Sequence, residues 1–115
     1  MQYAIETQHL SRRFGRTEAV HDLTLNVPVG SIFALVGPNG AGKTTTIKTM
    51  MNLLAPSAGS ARVLETDSRK IGPATLRRIG YVSENHDLHE WMTVAQLMAY
   101  CAPFYPTWDS TFAAA

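Results

Sequence analysis

At 115 residues, with 45% hydrophobic and 17% charged residues and a net charge of +1, the chain is one domain or part of one, globular rather than disordered. Its ten Lys and Arg are scattered, densest at Arg12, Arg13 and Arg16, so it lacks the basic stripe of a nucleic-acid surface and no nucleic-acid partner is expected. The single cysteine, Cys101, excludes an internal disulfide and points to a reducing compartment, no apolar run nears the roughly 20 residues of a membrane span, and the start MQYAIETQHL is no signal peptide.

Residues 3–7 (YAIET) alternate and predict a strand, as do residues 23–27 (LTLNV), with Leu23, Leu25 and Val27 on one side. Residues 28–30 (PVG) predict a turn. Residues 31–36 (SIFALV) form a continuous apolar run ending at Gly37, the pattern of a strand buried on both faces. Beyond the glycine-rich loop, Ile47, Met50, Met51 and Leu54 recur at helical spacing, and Pro56 is the expected stop. Residues 60–64 (SARVL) predict another strand, 73–78 (PATLRR) a short helix with Pro73 in its first turn, and 79–82 (IGYV) a strand. A second clear helix starts near Thr93, where Thr93 and Gln96 have capping-box spacing and Val94, Leu97, Met98 and Cys101 make its apolar face. Pro103 and Pro106 end it. The tail WDSTFAAA reads as a further helix capped by Asp109 or Ser110. Met50, Met51 and Met98 are expected in the core, Cys101 as a buried small hydrophobe, and Arg77 and Arg78 as surface charge.

Residues 37–45 read GPNGAGKTT, and Gly37, Gly42, Lys43 and Thr44 satisfy G-x-x-x-x-G-K-[ST] between an expected strand and an expected helix. Glycines admit backbone conformations that a side chain forbids, and they let the backbone approach a ligand closely. Successive N–H groups of Gly37, Pro38, Asn39, Gly40, Ala41, Gly42 and their neighbours (proline excepted) then cradle phosphate oxygens at the positive end of a helix. Lys43 reaches the β- and γ-phosphates, the Thr44 hydroxyl ligates Mg²⁺, and Thr45 hydrogen-bonds a phosphate. This pattern means binding of a nucleoside triphosphate, as against an ordinary glycine-rich turn.

The chain resembles the N-terminal part of the ATP-binding subunit of ABC transporters. The text that carries the resemblance is LSRRFG (10–15), EAVHDLTLNVPVGSIFALVGPNGAGKTT (18–45), LLAPSAGSARVLETD (53–67), RRIGYVSE (77–84) and MTVAQLM (92–98). Residues 103–109, PFYPTWD, look most like the exporter subgroup for antibiotics and other amphipathic compounds. The resemblance implies an α/β, P-loop nucleoside triphosphate hydrolase fold of ABC type, present over residues 1–115 as an incomplete N-terminal part: β-strands, the P-loop helix and the start of a helical region. It implies ATP and Mg²⁺ as cofactors, with Phe14 as an aromatic stacked on adenine; the alternative for Phe14 is a core residue at a strand end. Glu84 falls at the Q-loop, where the family usually carries glutamine, so the position departs from the pattern. Its carboxylate keeps an oxygen for Mg²⁺ and adds charge, a catalytic role beside Lys43; the alternative is a solvated loop acid.

The loop 84–93, ENHDLHEWMT, holds His86, Asp87, His89 and Glu90, which reads as solvated rather than as a transition-metal site. In the family this region docks on a membrane partner, for which Leu88 and Trp91 are candidate anchors; inward packing of Trp91 is the alternative. The implied partners are a membrane-spanning permease subunit or domain and a second ATP-binding subunit, with ATP at their interface. The implied place is the cytoplasm, peripheral on the inner face of the cell membrane. Phosphoryl transfer also needs an acid for Mg²⁺ and a group that positions water. No four apolar residues here precede Asp-Glu, no S-G-G occurs, and the family's switch histidine is missing. The expected function is therefore ATP binding, with hydrolysis driving export in a full-length subunit. A non-hydrolysing nucleotide-binding fragment or pseudo-subunit, and a soluble P-loop ATPase unlinked to transport, are the alternatives.

Overall fold

The computed structural model describes residues 1–37, 42–82 and 90–114, which fall in two compact units, Met1–Gly72 and Pro73–Ala115. In the first unit β1 (Tyr3–Phe14) and β2 (Thr17–Pro28) form a long antiparallel hairpin. Gly15 takes φ 60, the left-handed value that a two-residue hairpin loop demands of its first residue. β3 (Ala58–Val63) pairs antiparallel with β1, and the short β4 (Thr66–Asp67) pairs with β3, giving the order β2-β1-β3-β4. The strands outrun the alternating stretches because the register breaks where His9 and Asp22 take positive φ. His9 Nδ1 meets Asp22 Oδ1 at 2.6 Å across that break. Strict alternation therefore holds on only part of each strand.

One helix, α1 (Lys43–Met50), packs on this sheet. It buries Thr46, Thr49 and Met50, not the expected run through Ile47 and Leu54. The threonine hydroxyls donate to carbonyls one turn back, Thr46 to Gly42 O at 2.7 Å and Thr49 to Thr45 O at 2.8 Å. A hydroxyl satisfied within its own helix is buried at little cost, so threonine replaces aliphatic residues on this face. The helix also stops well before Pro56. Asn52 turns to φ 59 and its Nδ2 donates to Ile71 O at 3.1 Å, which fixes the exit. Among the described residues the buried apolar ones are Leu10, Val20, Met50, Ala61, Val63 and Ile71, all in this unit.

Residues 31–37 form no strand, contrary to the sequence expectation. Ser31, Phe33 and Leu35 face a cavity of about 410 Å³ shared with Ile5, Ile47 and Met50. Ile32 and Val36 on the other side are 104% and 86% exposed. The period-two pattern of a strand is thus present, but no ladder partner lies beside it among the described residues, and all seven residues of the run are exposed. Residues 79–82 likewise form no strand.

In the second unit α2 (Pro73–Leu76) is a single turn opened by proline. α3 (Val94–Cys101) starts at a complete capping box, with Gln96 N donating to Thr93 Oγ1 at 3.1 Å and Thr93 N to Gln96 Oε1 at 2.8 Å. It passes into a 3₁₀ turn, Ala102–Phe104, where Tyr100 and Phe104 meet edge-to-face at 6.0 Å. α4 (Ser110–Ala114) is capped by Asp109, whose Oδ1 accepts from Phe112 N at 2.9 Å. Leu97, Met98 and Cys101 are half-buried and Val94 is exposed, so Cys101 is not the buried residue expected. No described helix is long and apolar enough to cross a membrane.

Candidate functional site

The glycine-rich loop joins the 31–37 run to α1. Its residues Pro38, Asn39, Gly40 and Ala41 lie outside the described residues, as do Glu84, His86, Asp87, Leu88 and His89. Gly37 and Gly42 bracket the loop, and Lys43 and Thr44 open the helix.

Gly42 is the N-terminal flank of α1, at φ 89 and ψ 10. A Cβ there would lie 2.1 Å from the Ala19 carbonyl oxygen. Two independent constraints therefore demand glycine: the left-handed backbone and the closeness of β2. Thr46 N donates to Gly42 O at 2.9 Å, so the first helical turn closes on that glycine. The Lys43 ammonium donates to the Gly37 carbonyl, which ties the helix start to the far side of the loop. No acid sits in the first turn of α1 to neutralise the positive helix end. A lysine ammonium that donates back to Gly37 and a helix start with no acid in its own first turn are compatible with a bound anion such as a triphosphate.

A cavity of about 380 Å³ adjoins this start, lined in part by Glu18, His21, Leu35, Gly42, Lys43 and Thr46. Glu18 Oε1 meets His21 Nδ1 at 2.8 Å, and Glu18 Oε2 lies 3.9 Å from Arg13 Nη1. The hydrogen bond to Glu18, then that residue's charge, lifts His21 above its usual 6.5. Glu18 and His21 lie in the 18–45 stretch and Thr46 just beyond it, but none of the three is part of G-x-x-x-x-G-K-[ST]; the folded first unit brings them to one cavity with Lys43.

Phe14 ends β1 and its side chain is 45% exposed, so it is not a core residue. The Arg12 guanidinium lies 4.7 Å from the centre of its ring. Thr44 and Thr45 occupy the first turn of α1. Trp91 is 73% exposed, against inward packing. Arg77 and Arg78 line a cavity of about 650 Å³ with Ile79, Met98, Trp108 and Phe112 in the second unit. Among the described residues no group of three or more His, Cys, Asp and Glu is placed to hold a metal ion.

A family model described as ABC transporter matches residues 20–114. The chain is 37% identical over 101 residues to the probable multidrug ABC transporter ATP-binding protein YbhF of Escherichia coli (strain K12), covering 88% of this chain and 18% of that one. It is 35% identical over 112 residues to the sulfate/thiosulfate import ATP-binding protein CysA of Salmonella typhi, covering 97% of this chain and 30% of that one. A solved ATP binding subunit of an ABC transporter superimposes with a TM-score of 0.81 at 28% identity, over 95% of this chain and 45% of that one. The chain thus spans less than a third of the curated relatives' length. It belongs to the ABC transporter family, and its residues form part of an ATP-binding domain of the P-loop nucleoside triphosphate hydrolase fold.

Proposed function

We propose that this chain binds Mg·ATP through residues 37–45 and serves the ATP-binding side of an ABC exporter. The observation that carries the reading is Lys43: it opens α1 and its ammonium reaches the Gly37 carbonyl across the loop. In a nucleotide complex that ammonium exchanges a neutral carbonyl for anionic phosphate oxygens, so that both partners of the bond carry charge. The loop from Gly37 through Pro38, Asn39, Gly40 and Ala41 to Gly42, with Thr45, holds the phosphates, and Phe14 stacks on adenine. Thr44 and the Glu84 carboxylate are the proposed Mg²⁺ ligands, and Glu84 takes the Q-loop role with its extra charge. Bound Mg²⁺ supplies neutralisation of charge on the β- and γ-oxygens. The proposed partners are a membrane-spanning permease and a second ATP-binding subunit, which places the chain peripherally at the inner face of the cell membrane. The export direction rests on residues 103–109.

A second reading is nucleotide binding without turnover. The two readings share the site and part at hydrolysis, which phosphate release measured beside nucleotide binding separates.

Photolabelling with 8-azido-ATP and peptide mapping test the binding site. Labelling near Phe14 that ATP competes away, and that Lys43→Ala abolishes, supports the reading. Labelling indifferent to both contradicts it. Affinity capture of the tagged protein from membranes separates a transporter subunit, which brings a multi-span protein with it, from a soluble P-loop ATPase, which does not.

A further inference from the structure

We infer that Arg12 is a positioning residue for base recognition: it covers one face of the Phe14 ring and leaves the opposite face as the platform for adenine. The inference rests on the proposed stacking role of Phe14. Residues 12 and 14 lie two positions apart near the end of β1, beside an irregularity in its pairing with β2. The guanidinium carbon sits 4.7 Å from the ring centre, within the range of a cation–π contact. One ring face is therefore occupied by a cation, and a purine has one side on which to stack. The cation also draws ring electron density toward itself, which makes the open face a better partner for an electron-rich purine.

The same guanidinium is fixed at its other end. Arg12 Nη1 donates to the Ala55 carbonyl at 2.7 Å, in the segment that leaves α1. Arg12 thus links the ring to the chain that follows the helix carrying Lys43. The strand does not depend on this contact for its place. Ser57 N donates to Ser11 O at 2.8 Å, and Arg13 N to Ser57 Oγ at 3.0 Å, so the segment stays pinned to β1 when Arg12 changes. An arginine suits the role better than lysine, because its planar guanidinium lies flat on a ring while its N–H groups still donate in the plane.

The test compares the affinity of the purified protein for Mg·ATP with its affinity for Mg·tripolyphosphate, which has no base. The variants are Arg12→Met, Arg12→Lys and Phe14→Ala. Arg12→Met is expected to lower the ATP-to-tripolyphosphate affinity ratio roughly two- to fivefold, with Arg12→Lys between it and the parent. Equal weakening of both ligands by Arg12→Met makes Arg12 a strand anchor only and overturns the inference. An unchanged ratio in Arg12→Met and Arg12→Lys, beside a fall in Phe14→Ala, also overturns it while the stacking reading stands. An unchanged ratio in Phe14→Ala removes the stacking reading and the inference together.

Discussion

Gly42 lies against the carbonyl of Ala19 so closely that a Cβ on residue 42 would sit 2.1 Å from the oxygen. The contact joins the helix start, which the motif identifies, to a strand residue that the motif does not mention. Gly42→Ala must relieve this clash by moving the helix start or β2, and it must hold a side chain at φ 89. The expected result is a loss of more than ~1 kcal/mol of stability. Mg·ATP affinity is expected to fall by about tenfold or more, since the phosphate N–H groups shift with the helix. Urea melts and nucleotide titration check both; parent-like behaviour in each contradicts the geometry.

His21 and Glu18 form a pair at the mouth of the cavity beside Lys43. His21 titrates above 6.5 because Glu18 accepts its proton-bearing nitrogen and opposes its charge. The stabilisation from the protonated pair is fully present below pH 6.5 and is lost as pH rises through the higher folded midpoint. Proton NMR of the His21 ring reads that midpoint directly. Glu18→Gln should bring it down toward 6.5, and a parent midpoint at or below that value rules the pairing out.

Thr93 closes both halves of a capping box on an eight-residue helix. Helices this short are marginal without their caps. Thr93→Ala should cost about 1 kcal/mol and reduce helical circular dichroism. Thr93→Ser should restore most of both, and equal losses in the two variants argue against the cap.

The motif-bearing features were legible because they are local. Thr93 and Gln96 announce the capping box by their spacing, Asp109 or Ser110 announces a helix that Asp109 caps, and Gly42–Lys43–Thr44 announce a turn into α1 at that place, where the phosphate site is proposed. What stayed hidden depends on partners distant in the chain. The buried face of α1 is built on Thr46 and Thr49, whose hydroxyls are satisfied by carbonyls one turn back, and a count of apolar residues misses it. The 31–36 run has the composition of a two-sided strand, yet a strand needs neighbours, and Ile32 and Val36 have no cover among the described residues. Phe14 could be read as a ring at a strand end; that the Arg12 guanidinium lies over it, and that Arg12 is anchored on Ala55, 43 residues on, emerges only from the fold.

Calorimetric titration of the purified chain with Mg·ATP, with Lys43→Ala beside it, tests the central claim most directly. Saturable binding by the parent, weakened roughly 10- to 100-fold by removing one charged donor, is the expected result. Equal binding by the two proteins, or none by a parent whose spectra show it folded, contradicts a phosphate site built on Lys43.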